Sequence, residues 1–238
     1  MTTGRPWRLF FSCEHGGNEV PPEYQHLFAG RREVLATHRG WDIGVLELSQ
    51  ALAAQLDAPL EAAMVTRLLV DLNRAPHNPR GLFSEFTREL PYPERVRILE
   101  RYYYPYRRRV EENVRHILRD ERDVVHVAVH SFTPELHGEE RNADLGLLYD
   151  PARPREAEFC SAWQQVLQEL APDLRVRRNY PYRGASDALV TTLRRSLPAE
   201  RYLGLELEVN QAIAVGTGVE LTRVRQALAA SLQRVPGN

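Results

Sequence analysis

Short apolar runs alternate along most of this sequence with longer stretches that have apolar residues at helical spacing. The short runs predict buried strands, which we place at Trp7–Ser12, Ala62–Thr66, Val124–His130, Leu145–Tyr149, Leu174–Arg178 and Tyr202–Val209. The longer stretches predict helices, which we place at Asp42–Leu56, Glu94–Arg122, Arg155–Leu170 and Glu220–Arg234. Pro105 should kink or break the second of these helices, because proline lacks a backbone donor and clashes with the preceding turn.

This alternation predicts an α/β fold with a single three-layer domain, residues 1–238. Its mostly parallel mixed sheet should be covered by helices on both faces. A length of 238 residues suits one large α/β domain. Ligands of such sheets bind outside the carboxyl ends of the strands, so residues at those ends are the first candidates for a functional site.

Composition removes several classes of function. The formal net charge is -1, so the chain has no overall basic field of the kind that nucleic acids and membrane surfaces attract. No apolar run is long enough to span a bilayer, and the first residues lack the apolar core of a signal peptide. The two cysteines do not form a disulfide framework. We expect a cytoplasmic protein that binds neither nucleic acid nor membrane, and the sequence leaves its oligomeric state open.

The segment after the first predicted strand has a histidine and a carboxylate in a glycine-rich turn. Its sequence is Cys13-Glu14-His15-Gly16-Gly17-Asn18-Glu19. The two glycines disfavour a helix and let the backbone fold around an ion, for which His15 and Glu19 can supply ligands. A polar turn with an incidental histidine explains this segment alone equally well. Cys13 and His15 share a strand face, which also permits a cysteine nucleophile, although we favour a buried structural cysteine.

His130 lies at the end of the clearest predicted strand. Period-two alternation places it on one face with His126 and Ala128. A single histidine at a strand end is usually structural. With His15 and Glu19, however, His130 completes the set of two histidines and one carboxylate that is typical of catalytic zinc sites with an open fourth position.

Glu206 and Glu208 alternate with apolar residues in a strand that we expect to be central. Carboxylates on a covered sheet face are costly unless they are paired, bound to metal or used in catalysis. For Glu206, nearer the middle of the strand, we expect an arginine partner. For Glu208, at the strand end, we expect a general base that acts on an activated water.

Polar loop residues are candidates for substrate binding. Arg67 and Arg74 flank an apolar segment, and a guanidinium can bind a carboxylate or stabilise a developing oxyanion. Within the same segment, Asp71 is placed to orient Arg74, and Asn73 is placed to donate to a substrate carboxylate or carbonyl.

A turn-rich loop, Asn179–Gly184, follows another predicted strand and is placed to line a pocket. It contains Tyr182 and Arg183, which we predict to contact substrate. A plain surface turn explains its composition as well.

Together, these residues resemble the N-formylglutamate amidohydrolase family, in particular its less characterised branch. The resemblance covers about residues 11–211 and rests on motifs in the family's order: His15-Gly16-Gly17-Asn18-Glu19-Val20-Pro21, Asp71-Leu72-Asn73-Arg74, His130-Ser131 and Leu207-Glu208-Val209. Asp42-Ile43-Gly44, the Tyr-x-Pro-Tyr stretch that ends at Tyr106, and the Asn179–Gly184 loop also fit.

The resemblance implies a zinc-exopeptidase-like fold, shared with carboxypeptidases, and one zinc ion. It implies that His15, Glu19 and His130 are the ligands and that Glu208 is the base. It also implies that Arg74 binds a substrate carboxylate and that Arg67 faces the scissile carbonyl oxygen.

The implied reaction is hydrolysis of a small N-acyl amino acid, with N-formyl-L-glutamate as the first candidate substrate. The alternatives are a zinc carboxypeptidase, another N-acyl amino acid deacylase, or a carboxylate-binding relative without catalysis.

Two departures from the family's pattern affect these expectations. The wider group spaces its first ligands as His-x-x-Glu, whereas Glu19 comes one residue later, and some relatives have no acid there. Asp42 is therefore the alternative ligand. The Tyr-x-Pro-Tyr stretch of true deformylases is commonly followed by histidine, whereas here it is followed by Arg107. The acyl group and the amino acid therefore stay open.

Overall fold

The computed structural model of the protein describes residues 7–216 and 219–236. Six strands in the described part form one sheet, in the order β2-β1-β3-β8-β6-β7. Two short strands, β4 and β5, pair separately. The strands are β1 (Trp7–Cys13), β2 (Leu60–Ala62), β3 (Asp123–Phe132), β4 (Glu135–Leu136), β5 (Glu139–Glu140), β6 (Leu145–Leu148), β7 (Val176–Arg178) and β8 (Tyr202–Asn210).

The strand directions make this a mostly parallel mixed sheet, as the sequence predicts. Strands β2, β1, β3 and β8 run parallel to one another. Strand β6 pairs antiparallel with β8 and parallel with β7. The predicted fold class is therefore confirmed at the level of sheet type.

Helices cover both faces of the sheet. Apolar side chains of α2, α6 and α9 pack with the aliphatic residues of one face, and those of α5 and α7 pack against the other. The helices are α1 (Arg32–Leu35), α2 (Val45–Leu56), α3 (Pro79–Leu82), α4 (Tyr92–Ile98), α5 (Tyr104–Arg119), α6 (Pro154–Leu170), α7 (Leu189–Ser196), α8 (Gln211–Ala214) and α9 (Val219–Arg234). A 3-10 helix spans Pro22–Phe28. No helix in the described ranges combines the length and apolarity needed to cross a membrane.

The second strand lies earlier than the sequence predicts. We expect a strand at Ala62–Thr66, but β2 ends at Ala62, and Val65 forms only an isolated bridge with Glu19. The segment leaves the sheet because it packs against the glycine turn after β1. A Cβ on Gly17 would lie 2.4 Å from the carbonyl oxygen of Met64, so this close approach requires glycine.

Pro105 neither breaks nor ends the long helix around it. Helix α4 continues through a π-helical turn, Leu99–Tyr103, directly into α5. Pro105 follows this turn directly within a continuous helical segment, where a proline removes one helical hydrogen bond. The wider turn absorbs the proline by a change in hydrogen-bond pattern.

Helix α2 begins three residues later than predicted. Gly44 has a φ of 83°, in the left-handed region, and the helix starts at Val45. Asp42 therefore lies in the preceding turn, where its N–H donates to the carbonyl of His15 at 3.0 Å. This turn brings the Asp42 side chain to the carboxyl end of β1.

Candidate metal centre

Two histidines and one aspartate meet at the carboxyl ends of the central strands. His15 follows β1, His130 belongs to β3, and Asp42 comes from the turn before α2. All three side chains are buried. Nδ1 of His130 lies 2.9 Å from Oδ2 of Asp42, and Nδ1 of His15 lies 3.3 Å from the same oxygen.

These separations fit a metal ion. One ligand atom from each residue falls within 4.8 Å of the other two. Nitrogen and oxygen ligands of a tetrahedral zinc, each about 2.0–2.2 Å from the metal, lie roughly 3.3–3.6 Å apart. Three protein ligands also leave a fourth position open, as in catalytic rather than structural zinc sites.

Glu19, predicted as the third ligand, is not brought into this cluster. Its N–H donates to the carbonyl of Met64, and its own carbonyl accepts from Thr66, both at 2.9 Å. These backbone bonds hold the segment alongside residues 64–66 and leave the Glu19 side chain exposed. The geometry therefore favours Asp42, the alternative ligand, over Glu19.

The second nitrogen of each histidine faces another buried carboxylate. Nε2 of His15 donates to Oδ1 of Asp71 at 2.8 Å. Nε2 of His130 lies 3.2 Å from Oε2 of Glu14. Carboxylates in this position commonly orient metal-binding histidines. Neither acid is predicted for this role from the sequence, although Glu14 lies in the glycine-rich segment after β1 and Asp71 lies in the Asp71-Leu72-Asn73-Arg74 motif.

The clustered charges shift the ionisation of the site. Burial opposes charging of His130, but its hydrogen bond to Asp42 and the nearby carboxylate charges of Asp42 and Glu14 raise its pKa well above the ordinary value. Burial likewise opposes ionisation of Asp42 and Asp71, yet the nearby histidines and Arg67 hold both pKa values well below the usual range. Without metal, the site is a compact array of ion pairs.

Arg67 joins the two aspartates. Its Nη1 donates to Oδ1 of Asp42 at 3.2 Å, and its Nη2 donates to Oδ2 of Asp71 at 2.8 Å. The expectation that Asp71 orients Arg74 is therefore wrong, because Asp71 pairs with Arg67. A direct role for Arg67 at the carbonyl oxygen stays a prediction.

Glu208 lies beside His130 across the β3–β8 pairing. It is buried, and its Oε2 has no hydrogen-bond partner among the described residues. Burial, reinforced by the charges of Asp42 and Glu206, raises the pKa of Glu208 to about 8. A buried carboxyl with a free oxygen and a pKa near neutrality is suited to proton transfer.

Glu206 does not have the expected arginine partner. In the described part of the chain, its Oε1 accepts from Nδ2 of Asn73 at 3.2 Å and lies 3.8 Å from Nε2 of His130. Asn73 is fixed in turn by the backbone N–H of Leu189, which donates to its Oδ1 at 2.7 Å. Glu206 is therefore part of the polar site rather than a separate ion pair.

A cavity of about 310 Å³ opens over these groups. Except for Glu19, every site residue predicted from the sequence lines it: His15, Asp42, Arg67, Asn73, Arg74, His130, Tyr182, Arg183 and Glu208. A larger cavity of about 460 Å³ near the amino-terminal end of β1 contains neither histidine of the cluster. The chemistry therefore points to the smaller cavity.

The loop after β7 forms one wall of the smaller cavity. Gly146 allows its close approach, because a Cβ there would lie 2.0 Å from the carbonyl oxygen of Tyr180. The hydroxyl of Tyr182 accepts from Arg141 at 3.1 Å. Arg183 is exposed, and its guanidinium has no ion pair or hydrogen bond within the described ranges. This cation is free to bind an anionic group.

Cys13 does not fit the nucleophile alternative. It is fully buried and lies outside the lining of the cavity. Burial, with a contribution from the Glu14 charge, raises the pKa of its thiol to about 12. A thiol in this environment stays protonated and unreactive at neutral pH.

A family model described as N-formylglutamate amidohydrolase matches residues 7–215. The chain belongs to the N-formylglutamate amidohydrolase family. The resemblance inferred from the motifs is thereby confirmed, and with it membership of a family of hydrolases that act on amide bonds.

Solved structures support the same relationship at the level of fold. The chain matches the crystal structure of a gene product from Agrobacterium tumefaciens with 26% identity and a TM-score of 0.79, covering 96% of this chain and 92% of that one. It matches N-formylglutamate amidohydrolase from Ralstonia eutropha with 20% identity and a TM-score of 0.68, covering 98% and 94%. No curated protein matches the sequence.

Proposed function

We propose that this member of the amidohydrolase family is a metal-dependent enzyme that cleaves a small N-acyl amino acid, with N-formyl-L-glutamate as the first candidate substrate. Its products are then formate and glutamate. The observation that carries the proposal is the buried His15–Asp42–His130 cluster, with the unpartnered carboxyl of Glu208 beside it in one cavity.

Zinc is the metal that suits these ligands best. Imidazole and carboxylate are its usual partners besides thiolate, and a three-residue set is typical of its catalytic sites. When bound, the ion supplies a Lewis acid that polarises the acyl carbonyl and makes water more acidic.

Glu208 is the general base of this proposal. Its carboxylate accepts a proton from the attacking water and then donates that proton to the amine of the leaving amino acid. Nη1 of Arg67 donates to Asp42 and holds that ligand in place. Arg67 also lines the cavity.

Arg183, Arg74 and Asn73 bind the substrate's carboxylates. Arg183 has an unpaired guanidinium within the described ranges. The side chains of Arg74 and Asn73 are held by hydrogen bonds to the backbone of Asp187 and Leu189. Guanidinium groups recognise carboxylates with paired hydrogen bonds. The cavity volume of about 310 Å³ is at the low end for ligand pockets, which favours a compact amino acid derivative over a long peptide.

The test measures bound zinc and product release for the native chain and for Glu208→Gln. The substrates are N-formylglutamate, N-acetyl and N-succinyl amino acids, and short peptides. We expect formate release by the native chain and a loss of about 10²- to 10⁴-fold in Glu208→Gln, with zinc retained.

Other outcomes contradict separate parts of the proposal. Zinc binding without turnover of any amide would rule out the enzyme. Unchanged turnover by Glu208→Gln would rule out its role as base. Faster turnover of peptides than of N-acyl amino acids would show that peptides are the substrate class.

A further inference from the structure

Glu14 is a fully buried carboxylate that the proposed reaction does not use. Within the described part of the chain, Glu14 forms no ion pair with a lysine or an arginine. Its charged neighbour is His130, whose Nε2 lies 3.2 Å from Oε2 of Glu14. A charge buried this deeply is costly unless donors surround it. The groups that surround Glu14 therefore bear on how the metal site is held.

We propose that Glu14, held by Tyr106, positions His130 for metal binding. The inference rests on the metal-dependent function proposed above. Tyr106 is buried, and its hydroxyl donates to Oε1 of Glu14 at 3.1 Å. The carboxylate is thereby fixed on one side by Tyr106. Its Oε2, which has no hydrogen-bond partner among the described residues, lies 3.2 Å from Nε2 of His130.

A second buried hydroxyl near Glu14 is that of Ser12, which lowers the pKa of the Glu14 carboxyl. His126 lies between the hydroxyl of Tyr202, 2.8 Å from Nδ1, and Oγ of Ser12, 2.7 Å from Nε2. A neutral imidazole has one acceptor and one donor, and these two contacts use both. In the tautomer that has its proton on Nε2, His126 donates to Ser12, whose own hydroxyl hydrogen is then available to Glu14.

Glu14 matters to the metal because it helps to fix the ring of His130. Oε2 of Glu14 lies 3.2 Å from Nε2, and Oδ2 of Asp42 lies 2.9 Å from Nδ1, so the two carboxylates hold the imidazole from its two nitrogens. Nδ2 of Asn73 also approaches Nε2, at 3.4 Å.

Tyr106 belongs to the Tyr-x-Pro-Tyr stretch that the proposed reaction leaves without a role. Another tyrosine of that stretch, Tyr103, is also buried, and its hydroxyl donates to the carbonyl of Arg74 at 2.7 Å. The two tyrosines are three residues apart, but their hydroxyls bind different parts of the site. Tyr103→Phe is therefore a matched control for Tyr106→Phe with respect to metal binding.

The experiment measures zinc dissociation constants by chelator competition for the full native chain, Glu14→Gln, Tyr106→Phe and Tyr103→Phe. Thermal unfolding of each metal-free protein is measured beside them. We expect Glu14→Gln to weaken zinc binding about 10- to 100-fold, the range typical of residues that orient a ligand. Tyr106→Phe should weaken it less, roughly threefold, because only a supporting hydrogen bond to Glu14 is lost and the carboxylate itself stays beside His130. Tyr103→Phe should leave it unchanged.

Equal zinc affinity of the native chain and Glu14→Gln, with or without a change in unfolding temperature, would overturn the inference and leave the proposed activity standing. If Glu14→Gln does not fold, the isosteric Tyr106→Phe decides the matter: an affinity equal to that of Tyr103→Phe contradicts the proposal. Zinc binding in the expected order without turnover of any amide overturns the activity and leaves the inference standing.

Discussion

The two faces of the central strands β3 and β8 differ sharply in chemistry. One face presents buried aliphatic side chains along most of both strands: Val125, Val127, Val129, Leu203, Leu205, Leu207 and Val209. The other face places His126, His130, Glu206 and Glu208 along the same two strands, and these are buried as well. Both faces are therefore buried. Burial alone stabilises the aliphatic face, whereas the polar face also needs hydrogen-bond or ion-pair partners.

The difference separates stability from function within one pair of strands. The aliphatic face packs against α2, α6 and α9 and removes apolar surface from water. The polar face keeps charged groups out of water, which requires hydrogen bonds, ion pairs or a metal. Leu205→Ala changes the aliphatic face, Glu208→Gln changes the polar face, and Arg183→Ala changes the mouth of the cavity above the polar face.

The largest effect on stability should come from Leu205→Ala on the aliphatic face. Leu205 is fully buried, and truncation of such a residue costs about 2–5 kcal/mol of unfolding free energy. Urea denaturation measures this loss, and Leu205→Met serves as the volume-conserving control. We expect the zinc affinity of the folded variant to match the native value. A large loss of zinc affinity would show that the two faces are not separable.

A smaller effect should appear in the pH dependence of the metal-free protein. Glu208 has a pKa of about 8 when folded, against an ordinary value of 4.5. The folded state therefore binds this proton more tightly than the unfolded chain, so unfolding free energy should fall as pH rises through this window. Glu208→Gln removes this loss. The native chain should lose stability relative to the variant, on the order of a few kcal/mol between about pH 5 and pH 8.

Urea denaturation of both proteins at several pH values measures the difference, and zinc is removed beforehand by a chelator. A native-minus-variant difference that is flat, or that grows in favour of the native chain, would contradict the raised pKa of Glu208.

The smallest of these effects should follow Arg183→Ala at the mouth of the cavity. Its unpaired guanidinium is exposed, so the fold should tolerate its removal. Loss of one charged contact to a substrate carboxylate should lower kcat/KM roughly tenfold, mostly through KM. Steady-state kinetics measures this, with the exposed Arg195→Ala as a control outside the cavity lining. Equal kinetics of the two variants would remove Arg183 from substrate binding.

Apart from β2, the sequence predicts the strands of the sheet and where they end, because period-two alternation and apolar runs are local signals. His130 and Glu208 follow from that pattern, since both come at the ends of buried strands. Glu19 misleads because spacing along a loop does not determine where a side chain points. Asp42 is brought into place by the left-handed conformation of Gly44 and a long-range hydrogen bond, and neither can be read from spacing.

The contacts of Glu14 and Asp71 lie further from what a sequence can show. Each pairs with a histidine or an arginine whose position depends on a different strand or loop. The local pattern marks such residues as polar within buried segments. Their partners emerge only when β1, β3 and the loop after β2 come together.

The most direct test of the account is a zinc titration of the native chain, Asp42→Asn and Glu19→Gln. The account predicts one tight site in the native chain and the same affinity in Glu19→Gln, because that side chain is exposed and outside the cluster. Asp42→Asn should weaken zinc binding by more than about a hundredfold, the largest loss typical of residues that merely support a ligand. Native affinity in Asp42→Asn, or a loss confined to Glu19→Gln, would contradict the proposed metal centre.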